Sequence, residues 1–345
     1  MRTSKVIFTA VTITSGIAAV QAQLPNADLQ VDSLNQRRQL EQSAQSMGST
    51  NVPALYESET SDVGPQSVLQ MKTRRTWVEA MGDVQYFYTD NMFLATHDKE
   101  GSDVLVGTIQ AAIAPTPYEF QGGLLAPRIG YQHQWFNYGL ITPDSVNTYT
   151  YSGQNPFQGG NSPLDTFDFN VSTPFADISW QRDNWTFAAG FDYRRLLTSD
   201  SYYDFYHEYV PRWCIKRDFQ LTPNKAISIG YEGDYRVTET APPVPLGYGT
   251  DFNDRTDQGL FIVGSWRLCS HAILQPYYRF EYSHYTRIDR DDFLHSFGLA
   301  LHCPITKNVA LRTFFSYDNF KSNGFFAQDY QKLDAGGGLN LIVRF

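Results

Sequence analysis

From Trp77 to Phe345 the chain repeats a period of two, and a segment with that period presents one apolar and one polar face. Four stretches carry the pattern most clearly. Trp185, Phe187, Ala189, Phe191 and Tyr193 alternate with Thr186, Ala188, Gly190, Asp192 and Arg194, and Ile227, Ile229, Tyr231, Gly233, Tyr235 and Val237 with Ser228, Gly230, Glu232, Asp234 and Arg236. Leu274, Pro276, Tyr278, Phe280 and Tyr282 alternate with Gln275, Tyr277, Arg279, Glu281 and Ser283. Val309, Leu311, Thr313, Phe315 and Tyr317 alternate with Ala310, Arg312, Phe314, Ser316 and Asp318. One face is apolar with aromatics toward its ends, and the other carries opposite charges.

A soluble β-sandwich would also alternate, so length and polarity must discriminate. The segments run about 10 to 14 residues, roughly twice the usual soluble strand and long enough for a tilted crossing of a bilayer. A polar face in bulk water would favour Lys, Thr and Ser. Here it favours Arg with Asp and Glu, which suits a confined wet lumen where charges must pair. Composition agrees: the chain is 42% hydrophobic, yet its mean hydropathy is -0.38, because 24 Phe, 22 Tyr and 6 Trp replace aliphatic runs. No stretch beyond the N-terminus reaches the roughly 18 to 20 continuous apolar residues of a spanning helix. An aromatic content of 15% excludes a disordered chain.

Twelve such segments are read at 77–89, 103–114, 124–136, 166–181, 184–197, 203–217, 225–238, 257–268, 272–286, 292–303, 308–319 and 333–345. Twelve is even, as single-chain bacterial barrels require, and the connections alternate in length. With the N-terminus periplasmic, outer loops fall at 90–102, 137–165, 198–202, 239–256, 287–291 and 320–332, and inner turns at 115–123, 182–183, 218–224, 269–271 and 304–307. The expected fold is all-β, a transmembrane antiparallel up-and-down β-barrel of about 12 strands over 76–345 with a short N-terminal leader.

Ahead of the barrel, residues 1–22 read as a secretory signal, with Arg2 and Lys5 before an apolar run and Val20-Gln21-Ala22 as cleavage site. Without Arg2 and Lys5, 25 basic residues face 36 acidic ones, which disfavours a nucleic-acid partner. Residues 23–75 are rich in Gln, Ser and Asn and read as a periplasmic leader. Ser33 followed by Gln36 forms a capping-box pattern, Leu40, Ala44 and Met47 fall at helical spacing, and Gly48 is placed to end the helix. Such a helix could dock, plug a pore or pack in an oligomer, and the plainest expectation is a flexible linker with a fraying helix.

The last strand puts Leu339, Leu341, Val343 and the terminal Phe345 on one face after the flexible run Gly336-Gly337-Gly338. This ending resembles the C-terminal insertion signal of bacterial outer-membrane β-barrels, departing from it at Val343, where a second aromatic is common. Tyr88-Thr89-Asp90-Asn91 is similar to the end of a first strand in porin-like proteins. The resemblance covers 77–345 at the level of architecture. It implies an outer-membrane location, assembly by the barrel-insertion machinery and outer-membrane lipid as a partner, and a homo-oligomer is compatible with it.

Cys214, Cys269 and Cys303 are an odd number and not a disulfide framework, so at most one pair could bridge; each is placed at or near the inner end of a strand. The apolar phase changes along 166–181, from Phe167, Phe169 and Val171 to Ala176, Ile178 and Trp180, which predicts a bulge near Pro174. No catalytic pattern is present. His295 and Ser296 are neighbours and therefore point to opposite faces, and His284 has no evident Ser nucleophile, so no enzyme and no cofactor are expected. Asp251, Asn253, Asp254 and Asp257, and the cluster Asp289, Asp291 and Asp292, carry oxygen ligands a Ca²⁺ would accept, but Arg255 interrupts the first set and solvated acidic loops are the expectation.

The inward positions are Arg128, Asp192, Arg194, Glu208, Arg212, Glu232, Asp234, Arg236, Arg267, Arg279, Glu281 and Arg312. Such a ladder can select small hydrophilic solutes in a porin-like diffusion channel, or cross-pair into a plug that closes a structural or surface-binding barrel acting through its loops. The loop at 137–165, with Gly153, Gly159, Gly160, Tyr149, Tyr151 and Phe157, is expected to fold over or into the mouth.

Overall fold

The computed structural model describes residues 27–40 and 77–345, apart from 98, 142–144, 148–160, 243, 245–247, 270, 307 and 325–326. Twelve long antiparallel strands form the wall: β1 Val78–Thr89, β2 Ser102–Ile113, β3 Gly123–Tyr138, β4 Phe169–Arg182, β5 Trp185–Thr198, β6 Asp204–Thr222, β7 Lys225–Thr240, β8 Arg255–Cys269, β9 Ala272–Tyr285, β10 Asp291–Pro304, β11 Val309–Ser322 and β12 Tyr330–Arg344. Each pairs with its sequence neighbours, and β1 pairs with β12 from Glu79↔Arg344 to Thr89↔Asp334, which closes the barrel. Closure leaves no unpaired edge, the condition for a sheet surrounded by hydrocarbon.

Burial is inverted relative to a soluble protein. Ile109, Ile129, Leu260, Phe297 and Leu339 are exposed on the outside, whereas Glu208, Arg194, Arg236 and Arg279 are buried inside. Trp77, Tyr118, Trp185 and Trp266 ring one end of the outer surface, and Tyr88, Tyr202, Tyr203 and Phe293 ring the other. An apolar belt between two aromatic girdles is the surface of a barrel embedded in a bilayer. Leu341 and Phe345 also face outward, with Val343 half-buried beside them.

Most expected strand bounds fall within a few residues of the observed ones. The largest difference is at the turn expected over 218–224, where β6 runs on to Thr222 and the turn shrinks to 223–224. The expected bulge at Pro174 is absent. Ser172↔Arg195 and Phe175↔Asp192 keep one register across the gap, because Pro174 lacks only an N–H, and the irregularities lie instead at Leu196/Leu197, Lys225/Ala226 and Arg267/Cys269. Phe169, Val171 and Phe175 all point inward, so the apparent phase change marks an apolar filling of the upper lumen. All three cysteines are free, and Cys214 lies in mid-strand opposite Ala188 and Glu232 while Cys269 and Cys303 are near strand ends.

The glycine run is a correction of a different kind. Gly336, Gly337 and Gly338 are not a flexible lead-in but paired strand positions, held by β1 on one side and β11 on the other. At Gly336 the side chains of Phe87 and Phe314 meet edge-on at 5.8 Å, and an added Cβ would sit 2.3 Å from the Phe87 Cβ. The two rings cover the site that a side chain would otherwise fill. Gly336→Val is therefore expected to impair closure, seen as loss of the heat-modifiable band on a gel, whereas Gly82→Ala, which meets nothing within 4 Å, retains it.

Candidate functional site: a helix seated in the charged lumen

Residues 27–40 form a helix, α1, whose sequence divides it into faces. Ala27, Val31 and Leu34 recur at helical spacing and are buried against Phe136, Phe169, Leu196 and Tyr206 of the wall. Asp28 and Asp32, one turn apart, form an acidic face, and Arg37 and Arg38 follow as a basic one. Ser33 and Gln36 lie inside the helix and are not a capping box: Ser33 Oγ donates to Asp318 at 3.0 Å and Gln36 Nε2 to Glu281 at 3.0 Å. Ala44, Met47 and Gly48 lie outside the described residues. Residues 27–40 are thus part of the lumen's contents.

The helix has a defined direction. Asp28 reaches Arg255, the first residue of β8 at the long-loop end, while Leu40 packs on Phe261, Val263 and Tyr277 farther down the wall. Asp32 is gripped by Arg236 at 2.6 Å, Arg194 at 2.8 Å and Arg255 at 3.0 Å, and Asp28 by Arg255 at 2.9 Å. At the other end Arg38 pairs with Asp83, and Arg37 stacks 3.8 Å over the Phe314 ring and lies 3.7 Å from Asp334. Lys332 completes that corner at 3.4 Å from Asp318 and 3.3 Å from Asp334.

All twelve expected lumenal residues are on inward positions, and ten of them fall into two groups. Arg194, Glu208, Asp234, Arg236, Arg279 and Glu281 stand beside the helix; Arg194 pairs with Glu208, Arg236 with Asp234 at 2.9 Å, and Arg279 with Glu281. Arg128, Asp192, Arg212 and Glu232 lie below it, where Arg128 meets Asp177 at 2.9 Å, Arg212 meets Asp192 at 2.9 Å, and Arg279 reaches Glu232 at 2.7 Å. Arg312 is buried 5.5 Å from the Phe314 ring, and Arg267 is half-buried near the short-turn end.

The partners outside the expected set include the helix charges, Asp83, Asp177, the pair Lys332 and Asp334, and the pair Arg255 and Asp257. The outer loop expected over 239–256 takes in Arg255, and Asp257 opens the expected strand although it also closes the acidic run weighed for Ca²⁺; both lie in β8 and point inward, with Arg255 opposite Arg236 and Asp257 opposite Asp234. Their spacing of two was the available signal. The nearby Asp251 and Asp254 receive Arg287 at 3.0 and 3.1 Å, and among the described residues no group of acids, His or Cys is disposed to hold a metal. His295 faces outward against Tyr278, and Ser296 turns inward to Asp318 at 2.7 Å. At the mouth, Met92, Phe93, Leu164 and Phe167 fold in over the helix, while the aromatic and glycine positions 149–160 lie outside the described residues.

Among the described residues, a cavity of about 960 Å³ below Leu40 is bounded by Arg128, Asp177, Asp192 and Arg212 and reaches Val78 and Gln181 at the short-turn end. The described residues therefore form a filled core above and a charged vestibule wall below. Barrels of this size lie between filled small barrels and open porins, and this one combines both conditions.

No family model matches the chain, and no curated protein sequence matches it. Among solved structures it is similar to an outer membrane channel from Pseudomonas putida F1, with 8% identity over 84% of this chain and 100% of that one and a TM-score of 0.49. It is also similar to the translocator domain of the autotransporter NalP from Neisseria meningitidis, with 10% identity over 92% of this chain and 99% of that one and a TM-score of 0.45. A third is the NanC porin, with 10% identity over 75% and 98% of the two chains and a TM-score of 0.41. All three are outer-membrane β-barrels.

Cys214, packed against the cluster formed by Leu40, Phe261, Val263 and Tyr277, is a natural reporter of helix seating. Asp32→Asn removes the carboxylate shared by three guanidinium groups, each of which keeps a wall partner, for a loss on the order of 3 kcal/mol. With Cys269 and Cys303 replaced by Ser, Cys214 is expected to react with a charged maleimide about tenfold faster or more in that variant. An unchanged rate in a folded Asp32→Asn barrel would show that the apolar face alone seats the helix.

Proposed function

We propose that the protein is a porin-like outer-membrane channel for small hydrophilic solutes, shut in the conformation described here by its own lumenal helix. The observation that carries the reading is the pairing of a polar, charged helix seat with a cavity lined by charged side chains beneath it. A lumen required only for structure can be filled throughout by side chains, whereas the described residues of this one bound about 960 Å³ of charged space toward the short-turn end. Solute selection is assigned to the vestibule charges, where Arg128 and Arg212 remain partly accessible while held by Asp177 and Asp192.

The rival is a permanently closed barrel that acts through its outer loops. The apolar packing of Val31 and Leu34 against Phe136, Phe169 and Val171 favours it, because such a contact gains nothing from opening. Conductance separates the two. Asn35 and Gln134 approach to 3.3 Å across the helix–wall boundary, so in a cysteine-free background Asn35→Cys and Gln134→Cys can be bridged by a short reagent that reduction cleaves. Bridged protein is expected to give no single-channel steps in a planar bilayer, and reduction to restore them. Folded protein that stays silent after reduction would leave the closed barrel as the function. In the conducting form, Arg212→Gln is expected to shift selectivity toward cations, read from the reversal potential in a salt gradient.

A further inference from the structure

The three arginines that hold the acidic face of α1 are arranged in one way throughout. Arg236 Nε is tied to Asp257 at 2.7 Å and to Asp234 at 2.9 Å, Arg255 Nε to Asp257 at 3.0 Å, and Arg194 Nε to Glu208. Wall carboxylates thus fix the orientation of every guanidinium, and Tyr206 donates to Glu208 at 2.8 Å to hold that carboxylate in turn. Terminal nitrogens of all three reach the helix, Arg194 Nη2 while still touching Glu208 and Arg236 Nη1 while 3.6 Å from it. Arg255 Nη1 meets Asp28 at 2.9 Å and Nη2 meets Asp32 at 3.0 Å, Arg236 Nη1 meets Asp32 at 2.6 Å, and Arg194 Nη2 meets Asp32 at 2.8 Å. Forks anchored on one side and presented on the other are how arginine recognises a carboxylate.

We propose that Arg194, Arg236 and Arg255 form a binding site for a small solute bearing two carboxylates, and that Asp28 and Asp32 occupy it as built-in mimics of that solute. The proposal rests on the channel reading above and gives it a substrate class. Two carboxylates one helical turn apart, with Cβ atoms about 5–6 Å from each other, correspond to a short flexible dicarboxylate. Charge supports displacement: the three arginines are matched by Glu208, Asp234 and Asp257 before the helix arrives, so its two acids enter a set already balanced. The seat is specific in geometry without being an electrostatic trap, and a solute that offers the same two groups can replace the helix and free the passage.

The test uses the full mature chain and glutarate, with acetate at equal carboxylate concentration and fixed ionic strength as control. Glutarate is expected to raise both the Cys214 labelling rate in detergent and the open probability in a bilayer by about tenfold, and acetate to do neither. Asp28→Asn/Asp32→Asn is expected to label rapidly and conduct without glutarate, and glutarate to reduce its current by entering the vacant site. Arg255→Gln should abolish that block; if it fails to give a heat-modifiable barrel, Arg255→Lys, which keeps the charge and loses the fork, takes its place. Conduction with equal responses to glutarate and acetate would overturn the proposal and leave the channel standing. Labelling that responds to glutarate in a barrel that never conducts would overturn the channel and leave the binding site standing.

Discussion

Everything in this molecule depends on the absence of water outside it. In hydrocarbon each strand must satisfy its peptide groups through its neighbours, so the sheet closes, β1 on β12, and the apolar side of every alternating strand turns to the lipid. The charged side then has nowhere to go but inward. The lumen inherits more than a dozen ionic side chains in a space that admits little solvent, and a buried charge is tolerable only if it is paired.

That requirement explains why a helix is present. The wall pairs many of its own charges, as Arg128 does with Asp177; along β1, β11 and β12, Asp83, Asp318 and Asp334 have the wall cations Arg312 and Lys332 beside them, and Arg37 and Arg38 of the helix add to these. The opposite side of the helix carries carboxylates to the arginines of β5, β7 and β8, while Val31 and Leu34 complete an apolar core with the inward aromatics. A short amphipathic segment is matched on three sides to three differently charged sectors of the wall. Rotating it would place Asp28 and Asp32 against Phe136 or Asp318.

The barrel was readable in the sequence because its cause, an alternating face beside lipid, acts on every strand. Segments such as 225–238 and 308–319 could be placed within a few residues, since aromatics outside and charges inside leave little choice. The site was readable only as far as that alternation extends. Arg194, Arg236 and Arg279 were found from their phase; Arg255 was missed because its strand begins amid loop-like acids. The inward Phe169, Val171 and Phe175 misled in an instructive way: an apolar residue in a barrel wall faces lipid unless something apolar fills the lumen, and nothing in the alternation of β4 reveals Val31. Docking of α1 is a match between distant segments, and one sequence records each half without recording that they meet.

Seating a helix that belongs to the same chain also sets a concentration scale. Residues 41–76 connect α1 to the start of the wall at Trp77, so an unseated helix remains tethered near the lumen it left. A tethered ligand returns as though present on the order of millimolar, regardless of how dilute the protein is. Any free molecule contending for the arginines of β5, β7 and β8 competes against that fixed level. The length of the connecting segment is therefore a tuning parameter: shortening or lengthening it would move the threshold at which surroundings rich in such a molecule are felt, with every contact in the barrel left as it is.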